Sequence, residues 1–234
     1  MRRKSNSQVT IAYQHIRDRI ISYSLAPGTQ ISDNSLAKEL DMSRAPIREA
    51  ILLLQMDGLV QLNDQGTMIV SPLSINDVVD ILHIRSALES ESILLISAGG
   101  WLSAERENEM IEIHRQLSSF AQQDTSMNHY MYDDLFHSKL AEYSGSPRIC
   151  ELLGRMRLQM QRARWLNLAS PNRLEASVKE HDAILSAILH HEQDECIRLL
   201  RLHLKNSETA LRSILQDKQI QALAMMVSNF CNQD

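Results

Sequence analysis

Aromatic residues are scarce in this chain. Phe, Trp and Tyr make up 4% of its 234 residues, and there are only seven Gly and five Pro. Leu, Ile, Met and Ala supply the apolar content instead, a balance that favours helix over sheet. Cysteine is equally sparse: Cys150, Cys196 and Cys231 are odd in number, widely spaced and without a CxxC pair. That leaves no disulfide framework and no thiolate metal site, and it suits a reducing cytoplasm. No apolar run approaches the about 18 residues that mark a membrane span. The N-terminus, MRRKSNSQVTIAYQ, is basic but has no apolar h-region, so it does not read as a secretory signal. A cytoplasmic protein with no membrane partner is expected. Strong charge of one sign is missing too. The net charge is −5, and residues 1–72 hold eight Lys and Arg against seven Asp and Glu, whereas the remainder holds sixteen against twenty-two. Arg2, Arg3 and Lys4 form a short basic arm, which does not by itself establish nucleic-acid binding.

What is present centres on Ser43 to Val60, SRAPIREAILLLQMDGLV. Ser43 suits an N-cap, and Pro46 falls in the first turn, where its missing N–H does no harm. Ile47, Ala50, Ile51, Leu54 and Leu59 recur at three- and four-residue steps and predict one buried stripe. Arg44 and Arg48 stand one turn apart on another face. Two guanidinium groups at the start of a packed helix suit the DNA major groove, where Arg bonds guanine O6 and N7 as a pair. A surface helix with two solvated arginines is the alternative.

The flanks favour DNA. Val9 to Tyr23 reads as a helix with Ala12, Ile16, Ile20 and Tyr23 on one face, and Ala26 to Thr29 reads as a turn. Ser32 caps a short helix, DNSLAKEL, and Asp41-Met42 is a tight connection into the Ser43 helix. This is helix-turn-helix order. Leu59 to Leu62 and Met68 to Val70 read as strands around the hairpin turn Asn63-Asp64-Gln65-Gly66, which makes a wing. The run Pro27-Gly28, Leu36-Ala37, Leu40, Ser43 to Ala50, Gly58 to Val60 and Gly66 resembles the winged helix of GntR-type transcription regulators. The resemblance covers Val9 to about Pro72. It implies that Ser43, Arg44 and Arg48 contact the operator and that the wing tip, Gln65 and Gly66, enters the minor groove. Asn34 is a further candidate contact. The chain departs from the family pattern at Asp64-Gln65, where many relatives carry a basic residue.

From Ser74 to about Leu215 only helices are expected: Ser74 to Ala98, Ser103 to Phe120, Ser126 to Tyr143, Arg148 to Leu168, Leu174 to His190 and Asp194 to Leu215. The expected fold is therefore mostly α. An N-terminal winged helix-turn-helix (1–72) precedes an all-α antiparallel bundle (73–215), with residues 216–234 as a tail or extra helix.

In the bundle, Asp133 and His137 are four apart and share a helix face, while His181 and His203 lie on two later helices. Such a set can converge on a metal, or be ordinary core and surface histidines among the nine present. Nitrogen and oxygen donors suit zinc, nickel, manganese or iron without choosing among them, and zinc is the first expectation. Arg85 to Glu89, Asp133 to His137, Glu180 to Ile184 and Leu202 to Leu204 resemble the RxxLE, DxxFH, EHxxI and last-helix histidine motifs of the FCD effector domain in the FadR branch of the same family. The resemblance implies that Asp133, His137, His181 and His203 hold a divalent metal and that Arg85 anchors a small carboxylate effector. A surface pair of Arg85 with Glu89 is the alternative. Arg155, Arg157, Arg162 and Arg164 crowd the long helix, and some of them are candidates to line the same cavity. The expected function is a dimeric regulator, a repressor first, that binds a pseudo-palindromic operator in double-stranded DNA under control of the effector. A metal-dependent enzyme and a metal-sensing repressor are the alternatives.

Overall fold

The computed structural model describes residues 2–122, 126–167 and 171–216. In order these form α1 (Arg2–Ile21), α2 (Asp33–Glu39), α3 (Arg44–Met56), β1 (Val60–Leu62), β2 (Met68–Val70), α4 (Ile75–Ala98), α5 (Ala104–Gln122), α6 (Ser126–Tyr143), α7 (Pro147–Asn167), α8 (Pro171–Leu189) and α9 (Gln193–Gln216). Two compact units result: residues 2–74 with 158–163, and residues 75–157 with 164–216. The expected segment after Gln216 lies outside the described residues.

The first unit is a winged helix. On α1, Val9, Ala12, Ile16 and Ile20 recur at helical spacing and pack against Ile47, Ala50, Ile51 and Leu54 of α3. The helix begins at Arg2 rather than Val9, so the basic arm is its first turn. Tyr23 lies beyond its end, with φ of 61°. Strands β1 and β2 pair antiparallel, Val60 opposite Val70 and Leu62 opposite Met68. The segment before α2 backs the hairpin: the N–H of Ile31 donates to the Met68 carbonyl at 2.9 Å, and that of Val70 donates to Thr29 at 2.9 Å. At the wing tip Gly66 takes φ of 73°, and Asn63 Oδ1 accepts from the N–H groups of Gln65 and Thr67.

The turn between α2 and α3 sets the recognition helix. Ser32 caps α2 by accepting from the Ser35 N–H. At the other end, Met42 N–H reaches back to the Ala37 carbonyl and Asp41 N–H to that of Lys38. This double closure requires a left-handed residue between helix and exit, usually glycine. Asp41 fills the place with φ of 50°. Gly58, at φ of 73°, does the same after α3, where Leu59 N–H reaches the Leu54 carbonyl. Ser43 stands before α3 in extended backbone, but its side chain makes no cap hydrogen bond, contrary to expectation.

In the second unit α5 packs on α6 and α8, α4 on α9 and α6, and α8 on α9. The connection from α8 to α9 is short, which makes them antiparallel neighbours. Val78, Leu82, Ile93, Leu117, Phe136, Leu140, Ile184 and Leu200 are buried at its centre. Among the described residues no helix is long and apolar enough to cross a membrane.

The turn makes a first prediction. Left-handed backbone costs an ordinary L-residue about 1–2 kcal/mol, more for a β-branched one, while Asp and Gly tolerate it. Asp41→Val should lower stability by about that amount, and Asp41→Gly should be neutral or stabilising. Both are readable as shifts in the thermal unfolding midpoint.

Candidate metal centre and nucleic-acid interface

Helix α6 presents Asp133 and His137 one turn apart, α8 presents His181, and α9 presents His203. One donor atom from each lies within 4.8 Å of all the others. The three imidazoles are buried. His137 Nε2 and His203 Nε2 are 3.2 Å apart, and His181 Nε2 is 3.4 Å from Asp133 Oδ1. Phe136 presses on the His181 ring edge-on, with centroids 4.9 Å apart.

The other ring nitrogens set the tautomers. His137 Nδ1 faces Glu89 Oε2 at 2.7 Å, His203 Nδ1 faces Glu180 Oε2 at 2.7 Å, and His181 Nδ1 faces the Ser177 carbonyl at 2.8 Å. A carboxylate or carbonyl oxygen accepts, so each Nδ1 donates, and in a neutral ring each Nε2 is left with a lone pair turned inward. Burial and the neighbouring His203 push His181 well below the usual imidazole range. Burial likewise pushes His203 down. Neither of these two rings therefore supplies a proton to the gap at neutral pH.

Two facing acceptors 3.2 Å apart repel each other, and the buried His181 Nε2 has no hydrogen-bond partner. A cation answers both problems. Metal–nitrogen bonds of about 2.0–2.1 Å place ligand atoms about 3.0–3.4 Å apart, which matches the His137–His203 and His181–Asp133 separations. The donor set therefore fits a divalent ion held by three nitrogens and one oxygen.

Two further residues complete each arm. Glu89, 1% exposed, accepts from Arg85 Nε at 2.7 Å while it takes the His137 N–H. Burial alone would raise its pKa, but Arg85 and His137 outweigh that and hold it at about 2. Glu180 likewise accepts from Arg173 at 2.8 Å and from Asn206 at 2.7 Å. Burial raises it, and the bonds from His203 and Arg173 hold it at about 2. These arms, Arg85–Glu89–His137 and Arg173–Glu180–His203, fix ring orientation and make the inward nitrogens better donors.

A cavity of about 240 Å³ adjoins the cluster, lined by Arg85, Glu89, Asp134, His137, Cys150 and Arg157 among others. Arg157 Nη1 donates to Ser138 Oγ at 2.8 Å, and its buried Nε has no partner. Arg85 thus lines a cavity and also pairs with Glu89, but inside the unit rather than on its surface. Of the other arginines on the long helix, Arg155 pairs with Glu151 at the surface, Arg162 falls in the first unit, and the side chain of Arg164 lies outside the described residues. Asp134 is buried and reaches the cavity, although it stands outside the donor set.

Sequence reasoning missed Glu89 and Glu180 as histidine partners. The signal for Glu89 was its place on the stripe Val78, Leu82, Arg85, Glu89, Ile93, Ile96, whose other members are core.

In the first unit Ser43, Arg44, Arg48, Asn34, Gln65 and Gly66 are all exposed. Arg44 and Arg48 converge on a single carboxylate oxygen, Oδ2 of Asp33.

A winged helix with arginines at the start of its recognition helix, in one chain with a helical bundle that holds a buried donor set, defines a DNA-binding regulator with a sensing domain. Comparison with known proteins makes this specific. The description "Bacterial regulatory proteins, gntR family" matches residues 9–70, and "FCD domain" matches residues 80–206. The chain belongs to the gntR family of bacterial transcription regulators and carries an FCD domain. It is 25% identical over 211 residues to the HTH-type transcriptional regulator YdhC of Bacillus subtilis (strain 168), across 88% of this chain and 91% of that one. It is 26% identical over 212 residues to the HTH-type transcriptional repressor RspR of Escherichia coli (strain K12), across 88% and 89%. The solved structure of E. coli McbR/YncC shares the fold, with a TM-score of 0.72 at 20% identity over 88% of this chain and 97% of that one. Families and relatives alike are regulators, which sets the enzyme alternative aside. Regulators of this family bind DNA, and FCD domains bind small-molecule effectors.

The outer carboxylates give the test of this geometry. Glu89→Gln or Glu180→Gln should weaken zinc binding by about 10–100-fold, measured by competition with a chromogenic chelator.

Proposed function

We propose that this protein is a homodimeric repressor that acts in the cytoplasm. Residues 1–72 bind a pseudo-palindromic operator in double-stranded DNA, and residues 73–215 hold a divalent metal and a small carboxylate effector. The observation that carries this reading is the inward-facing set Asp133, His137, His181 and His203, whose His137 borders a cavity lined also by Arg85 and Arg157. Zinc is the first candidate ion, since three imidazoles and one carboxylate are its common donors. A doubly charged ion with one carboxylate ligand leaves the centre net positive, which favours an anionic guest. When bound, the ion supplies a Lewis-acidic centre for the oxygens of a small acid.

The residues around it do the rest. Arg85 and Arg157 offer charge-assisted donors to a carboxylate, and Glu89 keeps Arg85 and His137 in place. The cavity is smaller than the about 300–1,000 Å³ used by drug-sized ligands, so the effector class is a compact organic acid. Control of DNA then requires only that effector-bound and effector-free protein differ in operator affinity, a reciprocal coupling. The repressor reading is supported by the name of the RspR relative. Ser43, Arg44, Arg48 and Asn34 are proposed as operator contacts, with Gln65 and Gly66 at the wing. Symmetric operators are read by symmetric dimers.

Metal analysis of the purified protein, with a thermal-shift screen of small carboxylates in the presence and absence of chelator, tests the reading. A ligand at 100 times its Kd adds about 2.7 kcal/mol to apparent stability. The expected result is stoichiometric metal, absent in His181→Ala, and an acid whose stabilising effect chelator abolishes. No metal and no chelator effect would make the histidines structural and point to an apolar or acyl effector. DNA affinity that follows metal concentration without any acid would make the ion itself the signal. Arg85→Lys keeps the charge that balances Glu89 but loses the two-point fork; it should raise the Kd for the acid about 10-fold or more while leaving metal content unchanged.

A further inference from the structure

We propose that Asp33 determines specificity by positioning: it holds Arg44 and Arg48 so that both amino groups of Arg48 and Nη1 of Arg44 are left to meet base edges, and it disfavours their capture by backbone phosphates. This rests on Arg44 and Arg48 being the operator-reading side chains.

Asp33 is the first residue of α2, but its carboxylate is not needed there, because Ser32 already caps the helix. Instead Oδ2 accepts from Arg48 Nε at 2.6 Å, from Arg44 Nη2 at 2.9 Å and from Arg44 Nε at 3.3 Å. Those bonds also hold its pKa below the usual carboxylate range. Both arginines are open to solvent, Arg48 to 61% and Arg44 to 50%, and Asp33 is partly exposed at 22%. Exposed pairs of this kind add little to stability, so the arrangement matters for what it presents rather than for what it stabilises.

Arg48 donates through Nε alone, which leaves Nη1 and Nη2 together for an end-on pair with guanine O6 and N7. Without the shared carboxylate, two guanidinium groups one turn apart repel each other and splay. The same carboxylate discriminates between acceptors. A guanine edge is neutral and can lie in front of the arginines at no electrostatic cost. A phosphate is a full anion and meets Asp33 directly behind its target. Specific contacts are thereby preorganised, and phosphate contacts, which carry no sequence information, are weakened.

The test uses the full-length protein with two probes: a duplex that it selects from a randomised pool, and a scrambled duplex of the same composition. Affinity for each is measured by fluorescence anisotropy over a range of salt concentrations. Asp33→Asn should bind the scrambled duplex about 10-fold more tightly near 0.1 M salt, with the slope of log K against log salt steeper by about 1–2, as expected for one or two gained phosphate contacts. The preference for the selected duplex should fall about 10-fold. Asp33→Ser should behave alike. An unchanged slope and preference would overturn the proposal. So would an equal change when Asp33→Asn is made in an Arg44→Ala/Arg48→Ala background, because Asp33 would then act as a bare charge. Arg48→Ala separates the two failures. If it retains full preference, the reading of the recognition helix falls; if it loses preference while Asp33→Asn is silent, only the role of Asp33 falls. A wild-type protein that selects no sequence overturns both.

Discussion

Three buried imidazole nitrogens with their lone pairs turned toward one another are an unfavourable arrangement unless something positive sits among them. The second unit is built to hold that arrangement nonetheless. Its histidines come from α6, α8 and α9, and their outer partners come from α4 and α8. A polar network therefore crosses the apolar core and ties four helices to one point. Networks of this kind depend on completeness: a buried charge left without its partner costs far more than the intact pair contributes. Here each carboxylate has a histidine on one side and an arginine on the other, so charge is balanced along each arm. The imbalance remains only at the inward nitrogens, where a cation would relieve it. Metal binding in such a site adds directly to the stability of the folded form, so the packing of the four helices and the occupancy of the centre are linked.

The parts of this that were legible from sequence divide along physical lines. Asp133 and His137 could be paired from spacing, because four residues on a helix return to the same face. His181 and His203 could only be named as able to join them; their convergence depends on how α8 and α9 pack, and it was the resemblance to FCD motifs that favoured it. Glu89 entered only in the alternative reading, as the partner of a surface arginine, because an i,i+4 pair of opposite charge is usually solvated. Its place between Leu82 and Ile93, on a stripe that is apolar apart from Arg85 and Glu89 themselves, argues the reverse. Glu180 entered only as the start of the EHxxI match, and adjacent residues on a helix do not face the same way, so it should point away from His181. It does point away, and that is how it reaches His203 Nδ1 on the adjacent helix.

The winged helix was more open to reading, since its turns are made by local chemistry. The stripes of α1 and α3, the wing hairpin and the tight α2–α3 connection all follow from periodicity and turn residues. The exceptions are also local. Polar residues before Val9 extend α1 because nothing there forbids a helix. Ser43 takes the backbone geometry of a cap without making its bond. No pattern in the chain links Asp33 to Arg44 and Arg48, which stand eleven and fifteen residues later. The link exists because Asp41 tolerates left-handed backbone and brings the starts of α2 and α3 together.

The same device appears in both units, at opposite dielectric extremes. Glu89 and Glu180 stand behind histidines, and Asp33 stands behind arginines; each carboxylate holds the back of a functional group and leaves its front free. In the buried case the groups held back are acceptors, and the surrounding low dielectric makes every interaction strong, so the carboxylates shape both stability and ligand affinity. In the exposed case the groups are donors, water screens them, and the carboxylate contributes orientation and selectivity with little effect on folding. That difference in screening is why the loss of Glu89 bears on the integrity of the helical unit, while the loss of Asp33 bears on which acceptors the arginines choose.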